Sequence, residues 1–382
     1  MKTVKILILL ILLIGFSCKN KAKEPVENIS KTENETIVKY AKGFEIVEKD
    51  GIKKMLIKNA YQNSKNVFEY QIINFNKDSI IHYETNVNQI EVPVDEIVVT
   101  STTHIPMLEL LNEETSIVGF PFAQYVSSEK TRVLIDNGDI KEIGNKNNIN
   151  TEILLDLQPK LVVGYSISSA NKIYSVIEKA GIPVIYNGDW LEETPLGRAE
   201  WIKFFGVLFD KEKEADSIFK VIETNYLEAK KLALKSENKP TVLSGAIMSK
   251  DIWNLPAGES FVATFLKDAN VDYLWQETKG KGSLSLSFES VFDKGKGADF
   301  WIAPGYFSSK EQMLKSNQLY NKFDSFRNNN IYTPSIKKGK TGGVIYYELA
   351  STRPDLVLKD LIKIAHPELL KNYEFTFFEK MK

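Results

Sequence analysis

The chain has 382 residues, 43% of them hydrophobic and 26% charged, which fits a globular protein long enough for two domains of ordinary size. Its formal net charge is −1 at pH 7 and no basic stripe carries interleaved aromatics, which argues against a nucleic-acid partner. A single cysteine excludes an intramolecular disulfide. Three scattered histidines lack metal-ligand spacing, so neither a metal nor another resident cofactor is predicted.

The N-terminus has the pattern of a secretory signal. Two lysines among the first five residues precede the apolar run 6–14, and small residues follow it. The run is too short to span a bilayer as a permanent helix. Residues 1–17 are therefore predicted to be a signal peptide, and Cys18 directly follows the predicted cut. Residues 18–40 are polar and are predicted to be a flexible tether.

Residues 41–95 predict a small β-rich addition in front of the main fold. Apolar and polar residues alternate from Gly43 to Asn74, which is the pattern of half-buried strands. Asp50-Gly51 separates two of these runs and is a strong hairpin signal. The addition is therefore predicted to be antiparallel.

The first lobe is predicted over residues 96–209 and opens with an apolar strand that runs into hydroxyl residues. Thr102, Thr103 and His104 stand where this strand gives way to a helix. Ligands bind at the carboxyl ends of strands in open α/β sheets, so these three are candidate ligand-binding residues. Ordinary capping of the helix by Ser and Thr is equally consistent with the pattern.

Strands and helices alternate along both halves of the chain, which predicts mainly parallel sheets. Between the halves, apolar residues recur at steps of three and four, which predicts one long helix over 210–236 with Asp210 as its cap. The second lobe is predicted over 237–382. The predicted fold class is α/β: two Rossmann-like lobes joined by one long helix, with a small N-terminal β addition.

A weak internal repeat relates the two lobes. Glu152 and Glu289 each open a short helix, an aspartate follows four residues later, and a turn leads into an apolar strand that ends in Gly-Tyr. The turn is longer in the second copy. The repeat indicates two similar lobes that face each other.

Aromatic residues at predicted strand ends are further candidates for ligand binding. They are Phe122, Tyr125, Tyr165 and Trp190 in the first lobe and Trp253, Tyr306 and Tyr346 in the second. Aromatic and small polar groups around a shared cleft fit a bulky, partly apolar ligand, and core packing is the alternative for each ring. The sequence holds no phosphate-binding glycine loop, HExxH motif or G-x-S-x-G elbow, so no enzyme is predicted.

Four segments from residue 96 onward carry a family resemblance: STTH (101–104), the helix-strand unit 150–163, GRAEWIKFFG (197–206) and RPDLVLKDLIKIAHPELL (353–370). Together they resemble the substrate-binding lipoproteins of ABC importers for iron complexes and vitamin B12, the class with one long helix between its lobes. Thr103-His104 and Arg198–Trp201 resemble a Bacteroidetes-like subgroup. The N-terminus resembles a bacterial lipoprotein signal, in which Cys18 becomes the lipid-bearing first residue.

The resemblance implies a monomer that is lipid-anchored on the periplasmic side of the cell envelope. It implies that the lobes catch a small-molecule metal complex, either an iron complex (siderophore or haem) or cobalamin, for delivery to an ABC permease and its ATPase. Permease docking is implied for Glu152 and Glu289, and stabilisation by the helix macrodipole is the alternative role for both. A lipoprotein that serves an outer-membrane uptake system without a permease is a second hypothesis. An enzyme of related fold is a third.

Overall fold

The computed structural model of this protein describes residues 38–49, 51–75, 88–145, 148–167 and 172–382. The predicted signal peptide, the predicted lipidation site Cys18 and most of the predicted tether lie outside the described residues. None of the described helices is both long enough and apolar enough to cross a membrane.

The N-terminal strands form one sheet that packs on the first lobe. They are, in sheet order, β1 (Phe44–Lys49), β2 (Ile52–Ile57), β3 (Phe68–Ile73) and β4 (Asn88–Glu91). Lys49 lies opposite Ile52, the register expected for a two-residue hairpin. The prediction of an antiparallel sheet is wrong for its last pair, because β3 and β4 run parallel. Phe44 and Tyr70 are buried in the same core as the first-lobe strands, so the sheet has no separate core.

Two buried carboxylates hold the chain that precedes β1. Glu200 accepts hydrogen bonds from the backbone amides of residues 39–41, at 2.5 to 2.9 Å. Glu192 accepts from the amide of Gly43 at 2.7 Å and from the indole N–H of Trp201 at 3.0 Å. The GRAEW segment, which carried part of the family resemblance, therefore anchors the N-terminal addition to the first lobe.

The first lobe contains a parallel sheet with helices packed against it. Its strands are β5 (Ile97–Val99), β6 (Ile117–Phe120), β7 (Lys141–Glu142), β8 (Gly144–Asn145), β9 (Asn148–Ile149), β10 (Leu161–Gly164) and β11 (Val184–Tyr186). Its helices are α1 (His104–Leu110), α2 (Glu129–Asn137), α3 (Thr151–Leu157), α4 (Lys172–Lys179), α5 (Pro195–Ala199) and α6 (Ile202–Leu208). The sheet order is β11-β10-β5-β6-β7, and β8 pairs with β9. Strands β5 and β10 are apolar and fully buried, as in parallel sheets covered on both faces.

The apolar segment from Thr194 to Phe209 has the pattern of a single helix, but the structure divides it into α5 and α6. Thr194 does cap α5, since its hydroxyl accepts from the amide of Gly197 at 3.1 Å. The division falls at Glu200 and Trp201, the residues whose side chains hold the N-terminal segment.

One long helix, α7 (Glu212–Ala233), joins the lobes and spans 22 residues, or about 33 Å. Its apolar face enters the first core at Phe219 and the second core at Tyr226, so both lobes pack on the same rod. The predicted range 210–236 is too long by two residues at the start and three at the end. Asp210 is not its cap, because Asp210 has a φ of 56° and Lys211 occupies the cap position.

The second lobe repeats the plan of the first. Its strands are β12 (Thr241–Ser244), β13 (Ala246–Ser249), β14 (Ile252–Pro256), β15 (Asp272–Tyr273), β16 (Ser283–Ser287), β17 (Phe300–Ile302), β18 (Ile331–Thr333) and β19 (Glu379–Lys380). Its helices are α8 (Phe261–Asp268), α9 (Phe288–Gly295), α10 (Lys310–Ser316), α11 (Asp324–Arg327), α12 (Ile345–Leu349) and α13 (Pro354–Ala365). The main sheet runs β15-β12-β17-β18-β19 and is parallel except at β19, and β13-β14-β16 form an antiparallel sheet.

The strand orders of the two main sheets correspond. The first contains the series β6-β5-β10-β11 and the second contains β15-β12-β17-β18. In each series, the helix that opens with the paired glutamate, α3 or α9, precedes the third strand. The predicted fold class of two α/β lobes with mainly parallel sheets, joined by one long helix, is confirmed.

Candidate functional site: an aromatic cleft between the lobes

A cleft of about 450 Å³ lies between the two lobes. Its lining follows the carboxyl ends of β5, β6 and β10 in the first lobe and of β17 in the second, which is where ligands bind in open α/β sheets. Five predicted binding residues line it: Thr102, Phe122, Tyr125, Tyr165 and Tyr306. The remaining lining is Thr100, Ser101, Phe120, Pro121, Gly342, Gly343, Val344 and Tyr347.

The cleft lining is electrically neutral. Among the described lining residues there is no Asp, Glu, Lys, Arg or His. Burial raises the pKa of the Tyr165 and Tyr347 hydroxyls above the ordinary phenol value, so both stay protonated at neutral pH. Each phenol can donate one hydrogen bond and accept others. The cleft therefore offers aromatic faces and neutral hydrogen-bonding groups.

The first-lobe wall is fixed by hydrogen bonds at its strand ends. The Thr100 hydroxyl donates to the Val163 carbonyl at 3.0 Å and accepts from the Tyr165 amide at 2.8 Å. The Tyr174 hydroxyl donates to the Tyr165 carbonyl at 2.8 Å. The backbone N–H and C=O of Tyr165 are thus both hydrogen-bonded, so the sheet fixes the position of this residue at the cleft.

The second-lobe wall depends on a tight turn that we name the interlobe hairpin, residues 337–345. Lys338 and Val344 form an antiparallel bridge at its base. Two of its glycines, Gly339 and Gly343, touch the first lobe, and a Cβ on Gly343 would lie 2.1 Å from the Tyr125 carbonyl oxygen. The backbones of the two lobes are thus in direct contact beside the cleft, and a side chain at position 343 would separate the lobes.

Glu348, just after the interlobe hairpin, forms a second contact between the lobes. Its carboxylate accepts hydrogen bonds from the amides of Ser127 at 2.7 Å and Ser128 at 2.8 Å. Burial raises the pKa of Glu348 to about 7, and the nearby carboxylate of Glu109 acts in the same direction. We call Glu348 together with the two serine amides the interlobe clasp.

Two predicted binding residues lie in the cores and do not line the cleft. Trp253 is fully buried in the second core, stacked on Trp301 with ring centroids 5.2 Å apart. Its indole N–H donates to the Ser244 carbonyl at 3.0 Å, so both its face and its polar group are occupied. His104 is fully buried in the first lobe, with its ring 5.6 Å from that of Phe205. Trp253 and His104 were predicted to line the cleft, and the structure places neither of them there.

Three other predicted residues adjoin the lining without belonging to it. Trp190 packs on Tyr165 with ring centroids 5.9 Å apart. Tyr346 packs on Tyr347 at 5.7 Å and otherwise faces the aromatic C-terminal segment. The hydroxyl of Thr103 lies 2.9 Å from that of Ser101 and does not cap α1, so this part of the capping alternative is not observed.

A group of buried polar side chains lies behind Tyr165. His104, Asn187 and Asp189 have no exposed surface. Among the described residues, no hydrogen-bond partner is found for either His104 ring nitrogen, the Asn187 amide nitrogen, either Asp189 carboxylate oxygen or the Trp190 indole nitrogen. Burial lowers the pKa of His104 to about 4, so its ring is neutral at pH 7. Polar atoms buried in this way require ordered water or cost about 1–3 kcal/mol each.

Glu152 and Glu289, the predicted docking residues, occupy equivalent positions. Each is exposed and is the second residue of its helix, α3 or α9. Asn150 and Ser287 cap these helices, so neither glutamate is needed as a cap. Neither carboxylate forms an ion pair with a described residue within 4.0 Å. Both carboxylates are therefore available to a partner, and a macrodipole role is equally compatible with their position.

The sequence reasoning missed Tyr347 and the interlobe hairpin. Tyr346 and Tyr347 are adjacent in a short helix, and their order alone does not say which ring faces the cleft. The pair Gly342-Gly343 was the available signal, because consecutive glycines permit a close backbone approach.

The two similar lobes, the joining helix and the cleft between them define the class of bilobal ligand-binding proteins. Residues 97–335 match the periplasmic binding protein family, and the chain belongs to it. It is 27% identical over 304 residues to an uncharacterized lipoprotein of Methanocaldococcus jannaschii, covering 77% of this chain and 70% of that one.

Solved structures share the fold at low sequence identity. A periplasmic binding protein from Veillonella parvula aligns with a TM-score of 0.57 at 15% identity, covering 87% of this chain and 98% of that one. A possible iron-binding periplasmic solute-binding protein from Staphylococcus epidermidis aligns with 0.56 at 20% identity, covering 72% and 99%. A periplasmic heme-binding protein from Pseudomonas aeruginosa aligns with 0.56 at 15% identity, covering 76% and 98%.

Proposed function

We propose that this protein is the substrate-binding lipoprotein of an ABC importer and that it carries a bulky metal complex between its lobes. The observation that carries the proposal is the cleft itself, which both lobes line with aromatic rings at the carboxyl edges of their sheets. Binding without catalysis fits this lining, because its described residues include no acid, base or nucleophile other than neutral hydroxyls. Relatives whose names include iron and heme binding support an iron complex or haem as cargo.

The neutral lining favours some classes of cargo over others. Flat or macrocyclic complexes are stabilised by stacking on Phe122 and the tyrosines, whereas a strongly anionic siderophore body would meet no cation among the described lining residues. Haem and cobalamin both present a large apolar face, so either fits better than a carboxylate siderophore. Any charged substituent of the cargo must lie outside the cleft lining.

Titration of the full chain with haemin, cyanocobalamin and a ferric siderophore tests the cargo. Trp190 lies against Tyr165 and should report occupancy by quenching of tryptophan fluorescence. We expect Tyr306→Ala to weaken binding by about tenfold, because it removes one exposed stacking face. Leu234→Ala is the control and should leave binding unchanged, because Leu234 is an exposed apolar residue at the end of α7. No response to any of the three compounds would refute this class of cargo.

We further propose that Glu152 and Glu289 dock the loaded protein on its permease and that Cys18 carries the lipid anchor on the periplasmic side. The docking role is supported by the exposure of the two glutamates, by their equivalent helix positions and by the absence of ion pairs to described residues. The lipoprotein name of a relative supports the anchor. The proposed domain division follows the predicted boundaries, with residues 96–209 and 237–382 as the lobes.

Charge reversal tests the docking role. Glu152→Lys combined with Glu289→Lys should abolish cellular uptake of the cargo while its affinity for the purified chain stays normal. Glu129→Lys is the matched control, since Glu129 is also exposed in the first turn of a first-lobe helix. Normal uptake by the double variant would favour the alternative of a lipoprotein that serves an outer-membrane system without a permease.

A further inference from the structure

The second lobe has a smaller recess, of about 320 Å³, that the proposed function does not use. Lys338, Lys380 and Lys382 line it together with Ser308 and Ser335. Ser308 follows β17 and Ser335 follows β18, so the recess lies at the same carboxyl edge of the sheet as the cleft. Its position is therefore that of a ligand site and not of a distant surface groove.

The recess carries an unbalanced positive charge. Among the described residues, none of the three lysine ammonium groups has a carboxylate within 4.0 Å, and Glu379 is the one acidic residue in the lining. An oxyanion in the recess would neutralise the ammonium charge of these lysines.

The recess and the cleft lie on either side of the interlobe hairpin. Lys338 lines the recess and is bridged to Val344, which lines the cleft. Ser308 in the recess is two residues from Tyr306 in the cleft. The recess and the cleft are thus neighbours at one edge of the second-lobe sheet, connected through the Lys338–Val344 bridge.

We propose that this recess is an oxyanion subsite, which binds a carboxylate or phosphate group of the cargo held in the cleft. The inference rests on the proposed function and extends it, because it specifies an amphiphilic cargo with an apolar body and an anionic arm. The same chemistry would bind free phosphate, so the experiments separate these two sources.

The first experiment tests the subsite alone, by calorimetric titration of the full chain with inorganic phosphate. We expect one phosphate per chain, about tenfold weaker binding by the Lys338→Gln/Lys380→Gln variant, and a loss of affinity at high salt. Lys231→Gln/Lys359→Gln is the matched control, since it makes the same charge change at another lysine-lined recess and should bind normally. Absence of phosphate binding by the wild type, or equal binding by both double variants, would overturn the subsite.

The second experiment tests the link to the cargo, with haemin and haemin dimethyl ester as probes. Both have the same apolar body, but only haemin has free carboxylates. We expect the Lys338→Gln/Lys380→Gln variant to bind haemin about tenfold more weakly and the ester as the wild type does. Equal loss for both probes would overturn the anionic arm and leave the cleft as proposed. Phosphate binding without binding of either porphyrin would refute haem as cargo, and if cyanocobalamin also fails to bind, it would overturn the cargo link and identify a free-phosphate site.

Discussion

His104 has no exposed surface, and Asn187 and Asp189 lie beside its ring, but neither ring nitrogen forms a well-aligned hydrogen bond to a described residue. Burial lowers its pKa from 6.5 to about 4, so the folded protein holds the neutral ring. In the unfolded chain the ring takes up a proton near pH 6.5. Its contribution to stability is therefore fully present above pH 6.5 and is lost as the pH falls through that value towards 4.

His104→Leu tests this account. Leucine keeps most of the buried volume and removes two polar atoms, so we expect little change in the free energy of unfolding at pH 7. The wild type should lose about 2 kcal/mol more than the variant between pH 7 and pH 5. Urea denaturation at both pH values measures this. His366→Leu is the control and should destabilise at pH 7, because it removes the partner of the Ala269 carbonyl at 3.1 Å. A large loss for His104→Leu at pH 7 would contradict this account.

Glu348 should impose the opposite pH dependence. Its pKa in the folded protein is raised from 4.5 to about 7, so its stabilisation is full below pH 4.5 and is lost as the pH rises through 7. Glu348→Gln keeps a neutral acceptor for the Ser127 and Ser128 amides. We expect the variant to lose about 2 kcal/mol less than the wild type between pH 5 and pH 8. Thermal unfolding across this range measures the difference, and parallel pH profiles would contradict it.

At the scale of single elements, the interlobe hairpin depends most strongly on one residue, because position 343 requires glycine. A Cβ at Gly343 would meet the Tyr125 carbonyl oxygen at 2.1 Å, and backbone cannot move aside as a flexible side chain can. We expect Gly343→Ala to destabilise the protein by about 1–3 kcal/mol, the usual cost of overpacking. Gly282→Ala is the matched control, since a Cβ there meets nothing within 4 Å. Equal unfolding midpoints in urea for both variants would show that the lobes tolerate separation at the hairpin.

Elements with a strong local signal were predictable from the sequence. The apolar period fixed α7 to within three residues at each end, and the buried apolar runs identified β5 and β10. The break between α5 and α6 had no local signal, because its residues form helices readily. It arises from the long-range contacts of Glu200 with residues 39–41, more than 150 positions away in sequence.

The cleft was predictable only in part, for a related reason. Residues that directly follow predicted strands, such as Tyr165 and Tyr306, do line the cleft, because strand ends share one edge of a sheet; their role in ligand binding stays a prediction. Trp253 does not line it, since an aromatic in a short strand fits a core as well as a surface. Tyr347 and the interlobe hairpin depend on how the second lobe meets the first, which no local pattern encodes.

At the scale of the whole molecule, the two lobes are joined at several places among the described residues. Helix α5 of the first lobe packs on the second, since Leu196 is buried in the second core and Arg198 lies over the ring of Phe261 at 3.7 Å. Helix α7 enters both cores with its apolar face, at Phe219 in the first and Tyr226 in the second. The interlobe hairpin and the clasp at Glu348 tie the lobes together beside the cleft. A continuous helix bends little along its length, so a large hinge closure would have to break packing in one core or open the clasp.

We therefore expect cargo binding to change the separation of the lobes by no more than about 2 Å. Pulsed EPR distances between spin labels at residues 129 and 315, one in each lobe, measure this in a chain with Cys18 replaced by serine. A label pair at 129 and 172, within the first lobe, is the control and should not change. Gly343→Ala should broaden the interlobe distance distribution and leave the control pair narrow, because the variant opens the hairpin contact without touching α7. A closure of several ångströms on binding would show that the joining helix does not limit the motion and that the hairpin and the clasp act as a gate.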